Sequence, residues 1–414
     1  MSVRWESCMK IQRRILRPSE VLPLIGKPDF QKSRIERRLE RCASVGDIRE
    51  LARKKTPRAV FDYTDGAAMS ESSLNRARDA FARVEFTPRV MRDVSEVDLT
   101  VNMLGVTSAL PFALAPTGFT RMMHHVGEPA VATIAGEYGI PYALSTLGTT
   151  SIEQLAESNP NTRKWFQLYV FRGREQTQAL MQRAWDHGYD TLIVTVDTAV
   201  GGIRSREVRN GLTIPPQLTI RTLAEMATHP RWWLNALTTQ PLEFASLSSS
   251  GGTVGDLITK VFDPSVSVED ICWIRNQWKG SLMIKGIQST QDAVIAASLG
   301  VDAVVLSNHG GRQLDRSPVP LEILPSVAKE VGKEIEIYID GGVTSGTDIV
   351  AALAFGAHGV LVGRAYLYGL MAGGYAGVAR VVDVLEKEIK VTMQLMGVTS
   401  VRELDSDMVR LRPF

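Results

Sequence analysis

Short apolar runs rich in β-branched residues alternate with longer stretches of helical apolar spacing from residue 110 onward. Eight runs predict strands, at 111–116, 140–145, 164–169, 191–196, 281–285, 302–307, 336–340 and 359–363. Intervening stretches such as VGEPAVATIAGEYG and GTDIVAALAFG close on glycine. Eight buried strands, each followed by a helix, are typical of an α/β fold of the (β/α)8 TIM barrel type. The alternative, a doubly wound sheet, would carry a glycine fingerprint after its first strand, which is absent from the sequence.

Two segments interrupt this regular pattern. Residues 1–100 predict an N-terminal helical segment and arm before a barrel at 101–400, and residues 401–414 a C-terminal tail. Residues 198–280 separate the fourth and fifth strands by more than a βα connection needs, which predicts a lid or loop insertion. Its Trp232-Trp233 pair fits a membrane anchor, a subunit contact or ordinary packing.

The composition favours a soluble globular protein and argues against several other classes. Hydrophobic residues make up 44% of the 414 residues and charged residues 22%, as in a soluble globular protein. A net charge of +2 argues against a nucleic-acid partner. Cys8, Cys42 and Cys272 form no CxxC pair, which favours a reducing cytosol. With no secretory signal and no long apolar window, we expect a cytoplasmic protein, while the basic stretch ELARKKTPR fits either a solvated face or an anionic membrane.

In a (β/α)8 barrel the chemistry lies at the carboxyl ends of the strands. Nearly every predicted strand here ends in a polar side chain or a glycine. These residues are Pro116, Thr117, Gly118, Ser145, Gln167, Tyr169, Thr195, Asp197, Lys285, Ser307, His309, Asp340, Gly341, Gly342, Gly363 and Arg364. Any single one could be a cap or turn residue, but a ring of eight such ends predicts one site.

The last two strand ends favour a phosphate. Glycine-rich DGGVTSGTD offers backbone N–H groups and a helix N-terminus, and Arg364 adds a guanidinium. The same residues could instead form only a pair of tight turns, with no bound phosphate. A phosphate would belong to a substrate or a cofactor, for which FMN is a natural candidate.

The other strand ends favour a ring system and a small acid. Ser145, Gln167 and Thr195 suit a heteroaromatic edge, and Lys285 fits either a flavin partner or a Schiff-base lysine. In SNHGGRQLD at 307–315, His309 could act as a base, Arg312 as a carboxylate clamp, and Asp197 could orient the imidazole. We predict no metal site, since adjacent His124 and His125 point different ways.

At these residues the chain resembles the FMN-dependent L-2-hydroxy acid oxidase and dehydrogenase family, from about residue 45 to the end. SNHGGRQLD is similar to its active-site signature, and APTGF, WFQLYV, LIVTVD, IKGI, IDGG and VGRA stand in the expected order. Within the family the chain is most similar to bacterial L-lactate dehydrogenases that pass electrons to a quinone or cytochrome.

The resemblance implies FMN, a short L-2-hydroxy acid substrate and a homotetramer. It implies that Tyr63, Arg204 and Arg312 hold the substrate carboxylate, that Tyr169 binds the hydroxyl, and that His309 removes a proton with Asp197 behind it. The isoalloxazine would lie against Pro116, Thr117, Gly118, Ser145, Gln167, Thr195 and Lys285. The ribityl phosphate would lie against Ser307, Asp340, Gly341, Gly342, Gly363 and Arg364. Whether His309 takes the α-C–H or the hydroxyl proton is open.

Four departures from the family pattern stand out, one of them Gly118, where several oxidases have alanine. Thr344 occupies the place of a phosphate-binding arginine, and AAMS at 67–70 replaces the usual GAED. Leu147 stands where glycolate oxidases carry a tryptophan, which favours a short apolar substrate side chain.

Two other functions compete with the dehydrogenase. Oxygen could replace the quinone or cytochrome, giving an oxidase or monooxygenase, although the Trp232-Trp233 insertion favours an acceptor at the inner face of the cell membrane. A flavin-binding protein that had lost catalysis would carry damage at His309, Arg312, Arg204 or Tyr169, and all four are intact.

Overall fold

The computed structural model describes residues 17–21, 32–211, 227–250 and 263–413. Its strands, β1 to β12 in order, are Val84–Phe86, Val101–Met103, Val106–Ser108, Phe112–Leu114, Tyr142–Ser145, Lys164–Leu168, Tyr189–Thr195, Ser281–Ile287, Ala303–Leu306, Glu336–Ile339, Gly359–Val362 and Val409–Leu411. Its α-helices, α1 to α16 in order, are Pro18–Val21, Arg34–Glu40, Val45–Lys55, Arg58–Asp65, Ser72–Ala82, Thr120–Met123, Gly127–Glu137, Ile152–Ser158, Arg174–Asp186, Ser205–Arg209, Pro230–Thr238, Val268–Gln277, Thr290–Ser298, Pro320–Val331, Gly346–Ala354 and Arg364–Met396.

Strands β4 to β11 form a closed, all-parallel barrel in sequence order, with β11 pairing back to β4. The predicted (β/α)8 barrel is confirmed, and each of its strands matches one of the eight predicted runs. Every residue of β4, β5, β6, β9 and β11 is buried, because helices cover the outside and side chains fill the inside. This is why these strands appear in the sequence as continuous apolar runs.

Strand β8 extends two residues beyond its predicted end, to Ile287. Its register against β9 shifts between Lys285 and Ile287, so the strand bulges at Gly286. Gly286 has φ +107°, and a Cβ there would lie 2.7 Å from the Cβ of Asp197. Only glycine lets β8 pass this close to the end of β7, which places Lys285 and Asp197 side by side.

Several elements outside the barrel were not predicted from the sequence. Strands β2 and β3 form a hairpin before the barrel, and β1 pairs with β12 in antiparallel register, Val84 opposite Leu411. The C-terminal tail is thereby tied to the N-terminal arm. The long α16 is interrupted at Gly373 and Gly374, the latter at φ +58°.

The arm and the insertion both lie over the carboxyl ends of the strands. Helix α4 carries Tyr63, and α5 packs against the loop at 309–311. Within the insertion the structure includes α11, whereas residues 212–226 and 251–262, with part of SLSSSGGT, lie outside the described residues, as does Cys8. Among the described helices, none is long and apolar enough to cross a membrane.

Candidate active site

A cavity of about 480 Å³ opens at the carboxyl ends of the barrel strands, a volume typical of sites for small ligands. The predicted site residues that line it are Tyr63, Pro116, Thr117, Gly118, Ser145, Leu147, Gln167, Tyr169, Thr195, Arg204, Lys285, His309, Arg312, Asp340, Gly341, Gly342, Gly363 and Arg364. Asp197 and Ser307 lie directly behind this lining, against His309 and Lys285. The cavity therefore brings together side chains from the arm, the insertion and all eight strands.

His309 and Asp197 form a pair on one side of the cavity. His309 Nδ1 lies 3.0 Å from Asp197 Oδ1, and the Asp197 side chain is only 1% exposed. Burial alone would raise the pKa of Asp197, but the adjacent His309 and Lys285 hold it below its ordinary value. An ionised carboxylate accepts a hydrogen bond from Nδ1–H, which leaves the lone pair of the neutral imidazole on Nε2.

The backbone around His309 is held in an unusual conformation. His309 has φ +58°, a value rare for a non-glycine residue, and Gly310 and Gly311 also have positive φ. The N–H of His309 donates to the Ser307 hydroxyl at 3.0 Å, and Asn308 caps the turn through the N–H of Gly311. The two glycines that follow the histidine allow this tight turn.

Lys285 lies buried at the floor of the cavity. Its Nζ lies 2.9 Å from Asp340 Oδ2 and donates to the Ser307 hydroxyl at 2.9 Å. Burial opposes the charge, yet the carboxylates of Asp340 and Asp197 outweigh it and the pKa of Lys285 lies above its ordinary value. An amine kept protonated is a poor nucleophile, so the geometry disfavours a Schiff base.

A chain of buried hydrogen bonds links the ends of three neighbouring strands. The Ser145 hydroxyl donates to Gln167 Oε1 at 3.0 Å, and Gln167 Nε2 donates to the Thr195 hydroxyl at 3.0 Å. Next to them, a Cβ on Gly118 would lie 3.2 Å from the Cβ of Leu147. These strand ends therefore present linked polar groups beside closely packed backbone at Gly118 and Leu147.

Two arginines line the same cavity as His309, Arg312 from the loop after β9 and Arg204 from the start of the insertion. Arg312 donates through Nη1 to the carbonyl of Tyr63 and lies over its ring, 4.7 Å from the centroid. Glu207 bridges both guanidinium groups, at 2.9 Å from Arg312 Nη2 and 3.6 Å from Arg204 Nη1. Burial and the nearby Arg204 lower the pKa of Arg312. Tyr169 is fully enclosed, which raises the pKa of its hydroxyl and keeps it neutral.

Glu207 was not predicted, although a carboxylate three residues after Arg204 is a signal that could have been used. A second unpredicted group is Asp65, whose carboxylate accepts hydrogen bonds from Arg49, from Arg206 at 3.0 Å and from the Tyr368 hydroxyl at 2.8 Å.

The departure from the family pattern at residues 67–70 has a partial structural explanation. Ser70 donates hydrogen bonds to the Asp315 carboxylate through both its N–H and its hydroxyl. These contacts fasten the arm over the cavity.

A family model for FMN-dependent dehydrogenases matches residues 52–411 of this chain. The chain belongs to that family. It is 52% identical over 398 residues to a putative L-lactate dehydrogenase of Mycobacterium tuberculosis, covering 96% of both chains. It is 40% identical to an L-lactate dehydrogenase of Caulobacter vibrioides, covering 89% of this chain and 98% of that one.

Solved structures agree with this assignment. The crystal structure of the monotopic membrane protein (S)-mandelate dehydrogenase superposes with a TM-score of 0.87 at 36% identity, covering 90% of this chain and all of that one. A flavocytochrome b2 variant superposes with a TM-score of 0.77 at 30% identity, covering 90% and 88%. The protein is therefore an FMN-dependent 2-hydroxy acid oxidoreductase.

The family's cofactor fits the residues of this cavity. Asp340 Oδ1 is buried without a hydrogen-bond partner in the described structure. The floor of the cavity therefore offers an acceptor to which a bound ligand could donate a hydrogen bond. Lys285 supplies a fixed positive charge, and the Ser145–Gln167–Thr195 chain supplies polar atoms for a heteroaromatic edge. Gly341 and Gly342, both at φ +84°, expose backbone at the end of β10. These residues fit FMN: Ser145, Gln167, Thr195 and Lys285 would hold its ring system, and the backbone at Gly341 and Gly342 would be open to its phosphate.

Proposed function

We propose that this protein oxidises L-lactate, or another short L-2-hydroxy acid, to the 2-oxo acid and passes the electrons to a quinone or cytochrome. The observation that carries this proposal is the His309–Asp197 pair facing Arg204 and Arg312 across one cavity. A base opposite two carboxylate-binding cations is the arrangement that a 2-hydroxy acid requires. The relatives named L-lactate dehydrogenase support the same choice of acid.

Substrate orientation follows from the arm side of the cavity. Arg204 and Arg312 bind the carboxylate, and Glu207 between them keeps both guanidinium groups in place while leaving the pair with one net positive charge. The neutral Tyr169 hydroxyl donates to the substrate. The α-carbon is then held between His309 and the ring-binding edge of the barrel.

Proton removal falls to His309. Its Nε2 lone pair faces the cavity, and Asp197 stabilises the imidazolium that forms when the proton arrives. Bound FMN supplies the two-electron acceptor for this oxidation. His309 is the base whether the proton comes from the α-carbon or from the hydroxyl. Lys285 keeps a positive charge at the floor of the cavity throughout.

Leu147 supports a small substrate side chain. It lines the cavity next to Gly118, and its main chain donates to the Ser145 hydroxyl at 3.1 Å, which fixes its position. A methyl group fits beside a leucine more readily than an aromatic ring does. We expect Leu147→Ala to raise kcat/KM for L-mandelate relative to L-lactate by about 10-fold, as one well-placed hydrophobic contact can.

The face that carries α11 supports a membrane-side acceptor. Trp232 is turned inward and donates its indole N–H to the Met122 carbonyl at 3.0 Å, whereas Leu234 and Leu237 are 62% and 72% exposed. Below this helix lies a second cavity of about 300 Å³, and Met123 lines both cavities. An apolar edge beside the flavin cavity is where a quinone dissolved in a membrane could approach.

Steady-state assays test the substrate and the acceptor together. The protein is assayed with L-lactate, D-lactate, glycolate and L-mandelate, each with a short-chain quinone analogue under argon or with air alone. The proposal expects the highest kcat/KM for L-lactate and at least about 10-fold faster turnover with the quinone. Oxygen uptake that matches lactate turnover and does not respond to the quinone would make the protein an oxidase.

Peripheral membrane binding at the inner face of the cell membrane and a homotetramer complete the proposal. Flotation with anionic vesicles tests the first, with the double variant Leu234→Ser and Leu237→Ser as its probe and Val294→Ser, an exposed apolar residue on α13, as its control. Binding that is the same for all three proteins would rule out α11 as the contact. Light scattering gives the mass of the assembly and tests the tetramer.

A further inference from the structure

Arg364, the cation that the sequence analysis assigned to the phosphate, lines the cavity but has most of its donors bonded to backbone carbonyls. Arg364 donates through Nε to the Thr64 carbonyl at 2.9 Å and through Nη2 to the carbonyls of Gly66 and Gly310 at 2.8 Å. A Cβ on Gly310 would lie 2.6 Å from Arg364 Nη1, so the guanidinium is also packed tightly. Most of its donors therefore hold the arm and the His309 loop together.

Thr344 does not supply a positive charge to the phosphate end of the cavity. It stands where the family pattern places an arginine, and its N–H and hydroxyl both bond to Asp348, at 2.8 and 3.3 Å. That carboxylate caps helix α15 together with Ser345. The loop after β10 thus offers backbone N–H groups but no positive side chain to a phosphate.

Arg78 lies at this end of the cavity and comes from the arm. It lines the cavity together with Leu74, one turn earlier on the same face of α5. The helix touches the β10 loop directly, since a Cβ on Gly342 would lie 2.9 Å from the Ala77 carbonyl oxygen. Within the described part of the chain, Arg78 makes no ion pair and no side-chain hydrogen bond.

The charges nearby point to an anion. Burial, with Arg312 and Arg78 close by, lowers the pKa of Arg364 to about 10. Two guanidinium groups that repel each other would both be stabilised by a negative ligand between α5 and the glycines of the β10 loop. Arg76, two residues away on α5, points elsewhere and pairs with Glu322 at 3.2 Å.

We infer that Arg78 binds the FMN phosphate and takes over the role of the arginine that Thr344 replaces. In this chain the phosphate is then held by a cation from the N-terminal arm rather than from the barrel. The phosphate then bridges the arm and the barrel, because it contacts both α5 and the β10 loop. The inference concerns the cofactor and holds whichever 2-hydroxy acid is the substrate.

Comparison of FMN with riboflavin, which lacks the phosphate, tests this role. Apoprotein is titrated with each flavin, and Kd is read from quenching of flavin fluorescence. We expect Arg78→Gln to raise Kd for FMN by about 10- to 100-fold, the usual worth of a charge-assisted contact, and Kd for riboflavin by less than about twofold. Arg76→Gln is the matched control and should leave both values unchanged.

A rescue variant sharpens the test. Thr344→Arg in the Arg78→Gln background returns an arginine to the β10 loop and should recover most of the FMN affinity. If Arg78→Gln does not fold, Arg78→Lys replaces it, with an expected rise of about 3- to 10-fold in Kd for FMN alone, because lysine keeps the charge but loses the bidentate fork.

Three results would overturn the inference. The first is an FMN Kd within about twofold of the wild-type value in the Arg78 variant. The second is an equal loss of riboflavin affinity, which would make Arg78 a support of the fold. The third is an equal effect of Arg76→Gln, which would make the loss a general property of α5.

Discussion

Two walls enclose the active site, and they are built in different ways. The barrel wall consists of strand ends, where the closed sheet itself brings His309, Asp197 and Lys285 together and the bulge at Gly286 lets two of these ends lie side by side. The second wall, called the arm wall, consists of α4 and α5 from the arm and α10 from the insertion, and charged groups of the arm and the insertion meet across more than a hundred residues of sequence. Under the proposed function, the barrel wall carries the reacting groups together with Arg312, and the arm wall carries Arg204 and Arg78, which would bind charge on the ligands.

The difference shows what a sequence can reveal. Barrel-wall residues follow predicted strands directly, so the periodicity of the apolar runs locates them to within a residue or two. The ion pairs of Glu207 and Asp65 and the position of Arg78 depend on how the arm and the insertion fold back over the barrel, and no periodic pattern encodes that. Strands β1 and β12 escaped prediction for the same reason, since each has three residues and its partner lies at the other end of the chain.

The largest effect should come from the barrel wall. His309→Gln removes the base while keeping a side chain of similar size, so kcat should fall by about 10³- to 10⁴-fold. The flavin should remain bound, since neither Lys285 nor the glycines of the β10 loop are changed. Stopped-flow reduction of the flavin and its absorbance spectrum measure the two properties. His187→Gln, at the end of α9, is the control, and turnover that survives in His309→Gln would mean that the base is misassigned.

A charge change in the arm wall should act on binding more than on chemistry. Glu207→Gln removes the carboxylate that holds Arg312 and Arg204, so the two guanidinium groups repel each other and lose their alignment. We expect KM for the acid to rise by about 10-fold and kcat to change by less than about threefold. The exposed Glu175→Gln serves as control. A loss confined to kcat would contradict the claim that the arm wall acts on binding and the barrel wall on the chemical step.

The smallest effect concerns stability and pH in the arm. Burial would raise the pKa of Asp65, but bonds from Arg49, Tyr368 and Arg206 lower it to about 2. A folded-state pKa below the ordinary 3.8 stabilises the protein above about pH 4, and this contribution is lost as the pH falls toward 2.

Asp65→Asn should therefore reduce the free energy of unfolding by about 2 kcal/mol at neutral pH. The gap from wild type should narrow as the pH falls from about 5 to about 3. Urea unfolding at several pH values measures it, with the exposed Asp79→Asn on α5 as control. A gap that stays constant over this range would show that Asp65 contributes through packing and not through its charge.

The central claim is that His309 removes a proton from an L-2-hydroxy acid held by Arg204 and Arg312 beside FMN. Anaerobic mixing of the purified yellow protein with L-lactate, followed at the flavin absorbance band, tests it most directly. The account predicts rapid bleaching with L-lactate, none with D-lactate, and bleaching slowed by about 10³-fold or more in His309→Gln. Protein that binds FMN but is bleached equally fast by both enantiomers, or equally fast without His309, would contradict it.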